Sequence, residues 1–196
     1  MGSADPVAND AVPARGRGTA RDRVIATALE LFARHGVHGT SLQMIADRIG
    51  VTKAAVYHQF NSKEAIVLAA AEVELARFEA VVATAEAEPT RKRARDALLT
   101  GMVDMAVDQG RRMSTILSDP VIVDYFAHDR EFHDVTNRLR RLLFGDDAGP
   151  AARVRTAMLI ATISGTVMHP FVVDLDDEVL RAELLRLARR FLGLPG

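Results

Sequence analysis

Residues 40–64, TSLQMIADRIGVTKAAVYHQFNSKE, hold the densest group of helix-boundary signals in the chain. Thr40 is a predicted N-cap, and Gln43 three residues later can complete a capping box. Apolar residues then recur at helical spacing as far as Gly50, where a positive φ and the end of the helix are predicted. The buried face of this helix is expected to comprise Leu42, Ile45, Ala46 and Ile49.

The residues after Gly50 predict a second short helix and the start of a third. Thr52 can cap the second helix, and Asn61 can cap the third with Glu64 at the reciprocal position. The inward side of the second helix is predicted to carry Ala55, Val56 and Phe60. Its outward side would then present Thr52, Lys53, Ala54, Tyr57 and His58.

The small residues where these two helices meet indicate a helix-turn-helix. Ala46 lets the helices approach, Gly50 makes the turn, and Val56 fills the contact, at spacings of four and six residues that match the motif. Short polar groups, one cation and two amphipathic rings on the outward side suit a DNA groove. A helical hairpin with a glycine turn and no DNA role is the alternative, and the three caps together with the spacing favour DNA binding.

The segment GTSLQMIADRIGVTKAAVYHQFNSKEAI resembles the signature of TetR-type transcriptional repressors, and RVIATALELFARHGVHG before it resembles the first helix of that family. The resemblance covers about residues 20–68. It implies an all-helical homodimer with a small N-terminal DNA-binding domain and a larger C-terminal domain that binds a small-molecule inducer. One departure is Gln59, because the family usually has His or Tyr before the phenylalanine, and no phosphate contact is carried over to it.

The charged residues are unevenly distributed along the chain. Residues 15–64 contain eight basic and four acidic residues, whereas the remainder contains 17 basic and 22 acidic residues. A basic N-terminal quarter on an acidic body is expected if one end of the molecule meets phosphate.

The totals indicate a soluble protein with a real core, because 48% of the 196 residues are hydrophobic. The absence of cysteine excludes disulfides and thiolate chemistry and fits a reducing compartment. No run approaches the roughly 20 apolar residues of a membrane span, and the N-terminus lacks the apolar core of a signal peptide. We therefore expect a cytoplasmic protein with no membrane partner.

The chain lacks the patterns of common catalytic and metal sites. There is no Gly-x-Ser-x-Gly, phosphate-cradling glycine loop or His-Glu-x-x-His. Gly36 separates His35 from His38, and His128 and His133 lie five residues apart on different helix faces. We expect no catalytic residue, no metal and no cofactor.

The predicted fold class is all-α, with three segments. Residues 1–18 are a disordered arm, 19–64 the helix-turn-helix domain, and 65–196 a helical effector-binding and dimerisation domain. Thr19 caps a first helix that ends near Arg34, and a long helix over 62–86 joins the domains. The remaining helices are predicted at about 91–109, 111–118, 120–127, 129–144, 151–169 and 177–192, with breaks at Gly110, Asp119-Pro120, Gly145–Pro150 and Pro170.

The predicted partner is double-stranded DNA, and the predicted binding site is a pseudo-palindromic operator. Lys53 can donate to guanine or phosphate, whereas Thr52, Tyr57, His58 and Lys63 are expected to hold phosphate. Arg15 and Arg17 can lie in the minor groove, although a tail without function fits them equally well. The full predicted contact set is Thr40, Thr52, Lys53, Ala54, Tyr57, His58, Lys63, Arg15 and Arg17.

Two further sets of residues are predicted in the C-terminal domain. An apolar effector pocket with scattered polar groups is expected from Met102, Met105, Met113, Tyr125, Phe126, Phe132, Met158, Thr162 and His169, for each of which ordinary core is the alternative. The family resemblance implies that the last two helices pair with their copies in a four-helix dimer interface. Its predicted residues are Val154, Met158, Ala161, Leu180, Leu184, Leu187 and Phe191.

Three classes of function remain open from the sequence. The first is a repressor released by a small, largely apolar effector, and the second is a DNA-binding regulator without an effector, such as an activator or a partner-controlled protein. The third is a helical enzyme or ligand carrier that uses the motif as scaffold. A cavity of several hundred Å³ would favour an effector, and salt-dependent duplex binding would exclude the third class.

Overall fold

The computed structural model describes residues 19–117 and 120–194, and within these ranges the chain is built from α-helices without strands. The helices are α1 Ala20–Gly39, α2 Leu42–Ile49, α3 Lys53–Gln59, α4 Lys63–Glu86, α5 Arg91–Leu117, α6 Pro120–His128, α7 Arg130–Phe144, α8 Pro150–Thr166 and α9 Asp177–Phe191. The predicted all-α class is confirmed.

Helix α1 begins where the sequence predicts. The Thr19 hydroxyl accepts a hydrogen bond from the backbone N–H of Asp22, whose carboxylate accepts one from the backbone N–H of Thr19. Gly36 has φ 71° and interrupts the helical path, after which one further turn reaches Gly39. Four apolar residues at helical spacing along α1 are buried, namely Val24, Ile25, Ala28 and Phe32.

Two predicted N-caps are each displaced by one residue. Ser41, rather than Thr40, caps α2 by accepting from the Met44 N–H, because the Thr40 hydroxyl donates instead to the Gly36 carbonyl at 2.9 Å. Ser62, rather than Asn61, caps α4. In both cases two adjacent residues have side chains that can cap a helix, and the second of the two accepts the capping hydrogen bond in the folded chain.

The turn between α2 and α3 confirms the predicted role of Gly50, which has φ 79° and accepts no side chain without strain. Val56 and Phe60 point inward, with 0% and 3% exposure. The prediction that Ala55 also points inward is wrong, since it is exposed on the solvent side of α3.

Helix α5 runs without a break through Gly110, so the predicted break there is wrong. One glycine inside a helix costs about 1 kcal/mol relative to alanine, which packing along a 27-residue helix can offset. Asp119, predicted as part of the next break, lies outside the described residues. Pro120 is the first residue of α6.

The buried apolar residues form two clusters that share α4. The first lies among α1, α2, α3 and the N-terminal half of α4, and it also includes Ile122 of α6, which has 0% exposure. The second lies among the C-terminal half of α4, α5 and α7–α9. Phe126 packs against both clusters, so α6 connects the two cores.

Candidate nucleic-acid interface

The outward side of α3 is an exposed polar surface held by a buried apolar anchor. Thr52 caps α3 by accepting from the Ala55 N–H at 3.2 Å, and Val56 is completely buried against α1 and α2. With Val56 fixed inside, helical geometry turns the opposite side to solvent. The exposed residues there are Thr52, Lys53, Ala54, Tyr57 and His58, as the sequence predicts, and Tyr57 is 57% exposed.

Two members of the predicted contact set occupy different environments from this surface. Thr40 is only 3% exposed and its hydroxyl is used by the Gly36 carbonyl. Its side chain therefore fixes the entry to α2 and is unavailable to a ligand, which corrects its place in the set. Lys63 is the first residue of α4, is half-buried, and lies with its Nζ 3.5 Å from the His38 carbonyl oxygen.

Arg21 is a residue near this surface that sequence reasoning missed. Its Cζ lies 4.4 Å from the centre of the Phe60 ring, immediately after the end of α3. A guanidinium over an aromatic face is attracted to the ring and leaves its N–H groups free to donate at the edges. Because α1 and α3 are far apart in sequence, no local pattern could have placed Arg21 here. Arg15 and Arg17 lie outside the described residues.

The acidic residues nearest the helix-turn-helix have local partners. The backbone N–H of Glu64 hydrogen-bonds its own side chain and lowers the pKa of that carboxyl, and the Ser62 hydroxyl and the Lys63 charge act in the same direction. Asp47 accepts from Gln43, and Glu30 contacts Arg48 at 3.7 Å. These carboxylates therefore have partners of their own, and Lys53 makes no ion pair with any described residue.

The predicted effector residues separate into an aromatic group and a surface group. Phe126 and Phe132 stack with centroids 4.7 Å apart, and Tyr125 lies 5.6 Å from Phe126. Burial and the nearby Asp129 carboxylate raise the pKa of the Tyr125 hydroxyl. Met102 is buried in the second cluster.

Other predicted pocket residues do not join this group. Met158, Thr162 and His169 are exposed on α8 and the turn after it, so their placement in a pocket is wrong. Met105 is half-buried on α5. The Met113 side chain lies outside the described residues.

Two open clefts, each of about 570 Å³, are lined largely by charged side chains. Neither contains a residue of the predicted effector set. The first is lined by Glu88, Lys92, Arg93, Asp96, Ala97, Arg189 and Leu194, and the second by Glu79, Arg130, Glu131, Asp134, Val135, Asn137, Arg138 and Arg141. Within the described part of the chain, no three His, Asp or Glu side chains converge as metal ligands.

The predicted dimer-interface residues divide into exposed and buried members. Val154, Met158, Ala161, Leu187 and Phe191 are exposed. Leu180 and Leu184 are 5% and 6% exposed because they pack into the core of their own subunit, so their assignment to the interface is wrong. The turn between α8 and α9 adds Phe171, which sequence reasoning missed and which is 88% exposed. No helix of the described chain is long and apolar enough to cross a membrane.

The family model described as bacterial regulatory proteins of the tetR family matches residues 24–70. An uncharacterised HTH-type transcriptional regulator, YerO of Bacillus subtilis, is 44% identical over 52 residues, which are 26% of this chain and 18% of that protein. The HTH-type transcriptional repressor AcnR of Corynebacterium diphtheriae is 33% identical over 63 residues, or 32% of this chain and 33% of that protein. The chain thus spans a third or less of the length of these curated relatives.

The likeness to solved structures extends over most of the chain. A TetR-family regulator from Bordetella parapertussis has a TM-score of 0.70 and 19% identity, with 90% of this chain and 97% of that one covered. The TetR-family regulator PfmR from Thermus thermophilus has a TM-score of 0.67 and 23% identity, with coverage of 86% and 98%. At these identities the likeness shows the fold. Residues 24–70 thus match the tetR family of bacterial regulatory proteins, and the described chain has the fold of solved TetR-family regulators.

Proposed function

We propose that this protein is a repressor that binds a pseudo-palindromic DNA operator as a dimer and is released by a small, largely apolar effector. The observation that carries the proposal is the exposed polar side of α3, presented by a glycine turn and anchored by Val56. A regulator acting on chromosomal DNA would work in the cytoplasm.

Helix α3 is the element we propose for the major groove. Lys53 is its first residue, so its ammonium can reach a guanine edge or a phosphate. The hydroxyls of Thr52 and Tyr57 and the ring of His58 suit phosphate oxygens, which set register rather than sequence. Arg21, over the Phe60 ring, and Lys63, at the start of α4, would add charge toward the backbone.

The proposed dimer uses the apolar surface of α8 and α9. Eight large apolar side chains between residues 154 and 191 are exposed, which is unusual for a monomer surface. They are Val154, Met158, Phe171, Val173, Leu175, Val179, Leu187 and Phe191. A two-fold axis through this surface would give paired recognition helices, which need a separation of about 34–36 Å or a multiple of it.

The proposed effector would act through the packing between the two cores. Tyr125, Phe126 and Phe132 form the aromatic group, and Phe126 also contacts the core of the DNA-binding domain. Because Ile122 on the same helix is buried in that core, a shift of α6 would change the packing of α1–α4. A coupling of about 1–3 kcal/mol would change operator affinity roughly 5- to 150-fold.

A DNA-binding regulator without an effector remains the second candidate. Two open clefts of the described chain are lined largely by charged rather than apolar side chains, which gives this alternative a specific basis. Release of a bound operator by apolar compounds would favour the effector-controlled repressor.

The test is a pair of lysine substitutions measured on duplexes from the gene's own flanking DNA. Lys53→Ala should weaken binding and lower the slope of log affinity against log salt by about two per dimer, since each protomer loses one contact. Lys92→Ala is the matched control, because Lys92 is also exposed but lies at the start of α5. Unchanged affinity and slope in Lys53→Ala would show that α3 is not the groove helix.

A further inference from the structure

Two buried or half-buried arginines are fixed against the C-terminal end of α7. Arg95 of α5 donates from Nε to the Leu142 carbonyl at 3.3 Å and from a terminal nitrogen to the Leu143 carbonyl. Arg140 donates to the carbonyls of Gly145 and Asp147 in the following loop. The Arg95 bonds satisfy two of the last carbonyls of α7, and both guanidiniums complement the negative end of its dipole.

Two more arginines lie in the same place without that structural role. Gly145 has φ 73°, and a Cβ built on it would lie 2.9 Å from Nη2 of Arg91, so the glycine leaves room for that guanidinium. The Cζ of Arg155 lies 4.4 Å from the centre of the Phe144 ring. Arg91 and Arg155 are both exposed. We call Arg91, Arg95, Arg140 and Arg155 the arginine cluster.

The arginine cluster carries positive charge that no carboxylate balances. None of its four side chains makes an ion pair with a described residue, whereas seven other arginines do so, namely Arg48, Arg77, Arg93, Arg138, Arg181, Arg186 and Arg189. Burial, followed by the charges of Arg91 and Arg155, lowers the pKa of Arg95. The positive charges of Arg91, Arg95 and Arg155 thus repel one another, and a bound anion would reduce this electrostatic repulsion.

The residues around the arginine cluster add more positive than negative charge to it. The first turn of α5 contains Arg91, Lys92 and Arg93 and no acidic residue, although cations are unfavourable at the positive end of a helix. Asp146 and Asp147 belong to the adjacent loop, but among the described residues neither carboxylate forms an ion pair with the cluster, although Arg140 bonds to the Asp147 backbone carbonyl. The Asp147 carboxylate accepts from the Gly149 N–H instead.

We propose that the arginine cluster is a binding site for a small, soluble anion that carries phosphate groups, of which pyrophosphate is the simplest. Guanidinium groups donate to phosphate oxygens in pairs, and Arg91 and Arg155 have donors to spare beside two arginines already fixed. The cluster lies at the far end of α4 from the helix-turn-helix. That helix has 24 residues, a length of roughly 36 Å. The site is therefore separate from the proposed DNA surface and does not depend on DNA binding.

The experiment titrates the full chain with pyrophosphate at constant ionic strength, with calorimetry for affinity and circular dichroism for thermal stability. Arg91→Gln/Arg155→Gln removes the two guanidiniums that have no backbone bond. Arg130→Gln/Arg190→Gln removes the same charge from exposed arginines that lie elsewhere and make no ion pair with a described residue. Arg91→Lys/Arg155→Lys keeps the charge and loses the planar fork.

The unmodified chain and the Arg130/Arg190 control should bind pyrophosphate equally and gain thermal stability. The Arg91/Arg155 glutamine variant should keep its helical spectrum and lose about tenfold or more in affinity, and the lysine variant should fall between. Absence of binding to the unmodified chain, or an equal loss in the control, would overturn the proposal. So would binding to phosphatidylglycerol vesicles without binding to pyrophosphate, because that result assigns the cluster to a lipid surface.

Discussion

Glu74 is a carboxyl group buried in the middle of α4, with 4% exposure. Its Oε1 accepts from Arg77 at 2.7 Å, while its Oε2 has no hydrogen-bond partner. Burial raises the pKa of Glu74, and the Arg77 charge and hydrogen bond only partly oppose that effect. The folded chain therefore holds this proton more tightly than the unfolded chain. The stability that Glu74 contributes is present below its unfolded pKa and is lost as the pH rises through the folded pKa.

Glu74→Gln should remove this dependence, because glutamine does not titrate. The variant should become more stable relative to the unmodified protein as the pH rises from about 4 to about 7, because only the unmodified protein loses the contribution of Glu74. Urea unfolding at several pH values measures the difference. Glu72→Gln, at an exposed position on the same helix, should show no such trend. A constant difference for Glu74→Gln would contradict the assignment.

Single residues also show where local sequence signals stop. Thr19, Thr52 and Gly50 could be assigned correctly because a cap or a positive φ depends on the nearest few residues. Thr40 and Asn61 could not, since each precedes a serine that competes for the same cap. Arg21 over Phe60 is a tertiary contact and leaves no local pattern.

At the scale of elements, α4 and α5 are in close contact where Gly101 faces Val81. A Cβ built on Gly101 would lie 2.6 Å from Cγ1 of Val81 and 3.2 Å from Cγ2. Valine has one strongly preferred rotamer in a helix, so its methyl groups cannot swing away freely. The two helices can therefore only accommodate a larger side chain by moving apart.

Gly101→Ala should destabilise the protein by about 1–3 kcal/mol through overpacking, although alanine gains about 1 kcal/mol in helix propensity. Val81→Ala/Gly101→Ala should recover most of the loss, because it restores the space. Chemical denaturation of both variants measures the effect. A Gly101→Ala protein more stable than the unmodified chain would show that the helices repack without cost.

Helix starts were predictable where a cap and the periodicity agreed, as for α1 and α3. Gly110 misled because a glycine in a long helix resembles a glycine at a helix end in sequence. Ala55 and the exposed part of α8 misled for another reason. A small or apolar residue fits both sides of a helix, and only the packed structure decides which side faces inward.

At the scale of the whole molecule, the proposed dimer makes a separate prediction. Met158→Glu, at an exposed position of α8, should convert the dimer to monomer and reduce operator affinity, because an unpaired carboxylate would be buried at the two-fold interface. Val123→Glu is the control, since Val123 is 56% exposed on α6, away from that surface. Sedimentation velocity distinguishes the outcomes, and a Met158→Glu protein that remains dimeric would place the interface elsewhere.

The candidate DNA surface could be predicted from the sequence more fully than the effector site. Its residues belong to one short helix with a fixed inner side, so burial of Val56 determines the exposure of Lys53 and Tyr57. The effector residues come from several helices whose relative rotation no local pattern specifies. Met158 and His169 accordingly lie on the surface, while Phe126 and Phe132 stack.

Ile122 has a consequence for how this molecule can be divided. It belongs to the C-terminal domain by position in the chain, yet it completes the core formed by α1–α4. A recombinant fragment ended at residue 64 or 86 would lack this side chain and carry a hole in its interior. Unfolding of either domain would expose apolar surface of the other to water. The two domains should therefore unfold together rather than separate at the boundary in the chain.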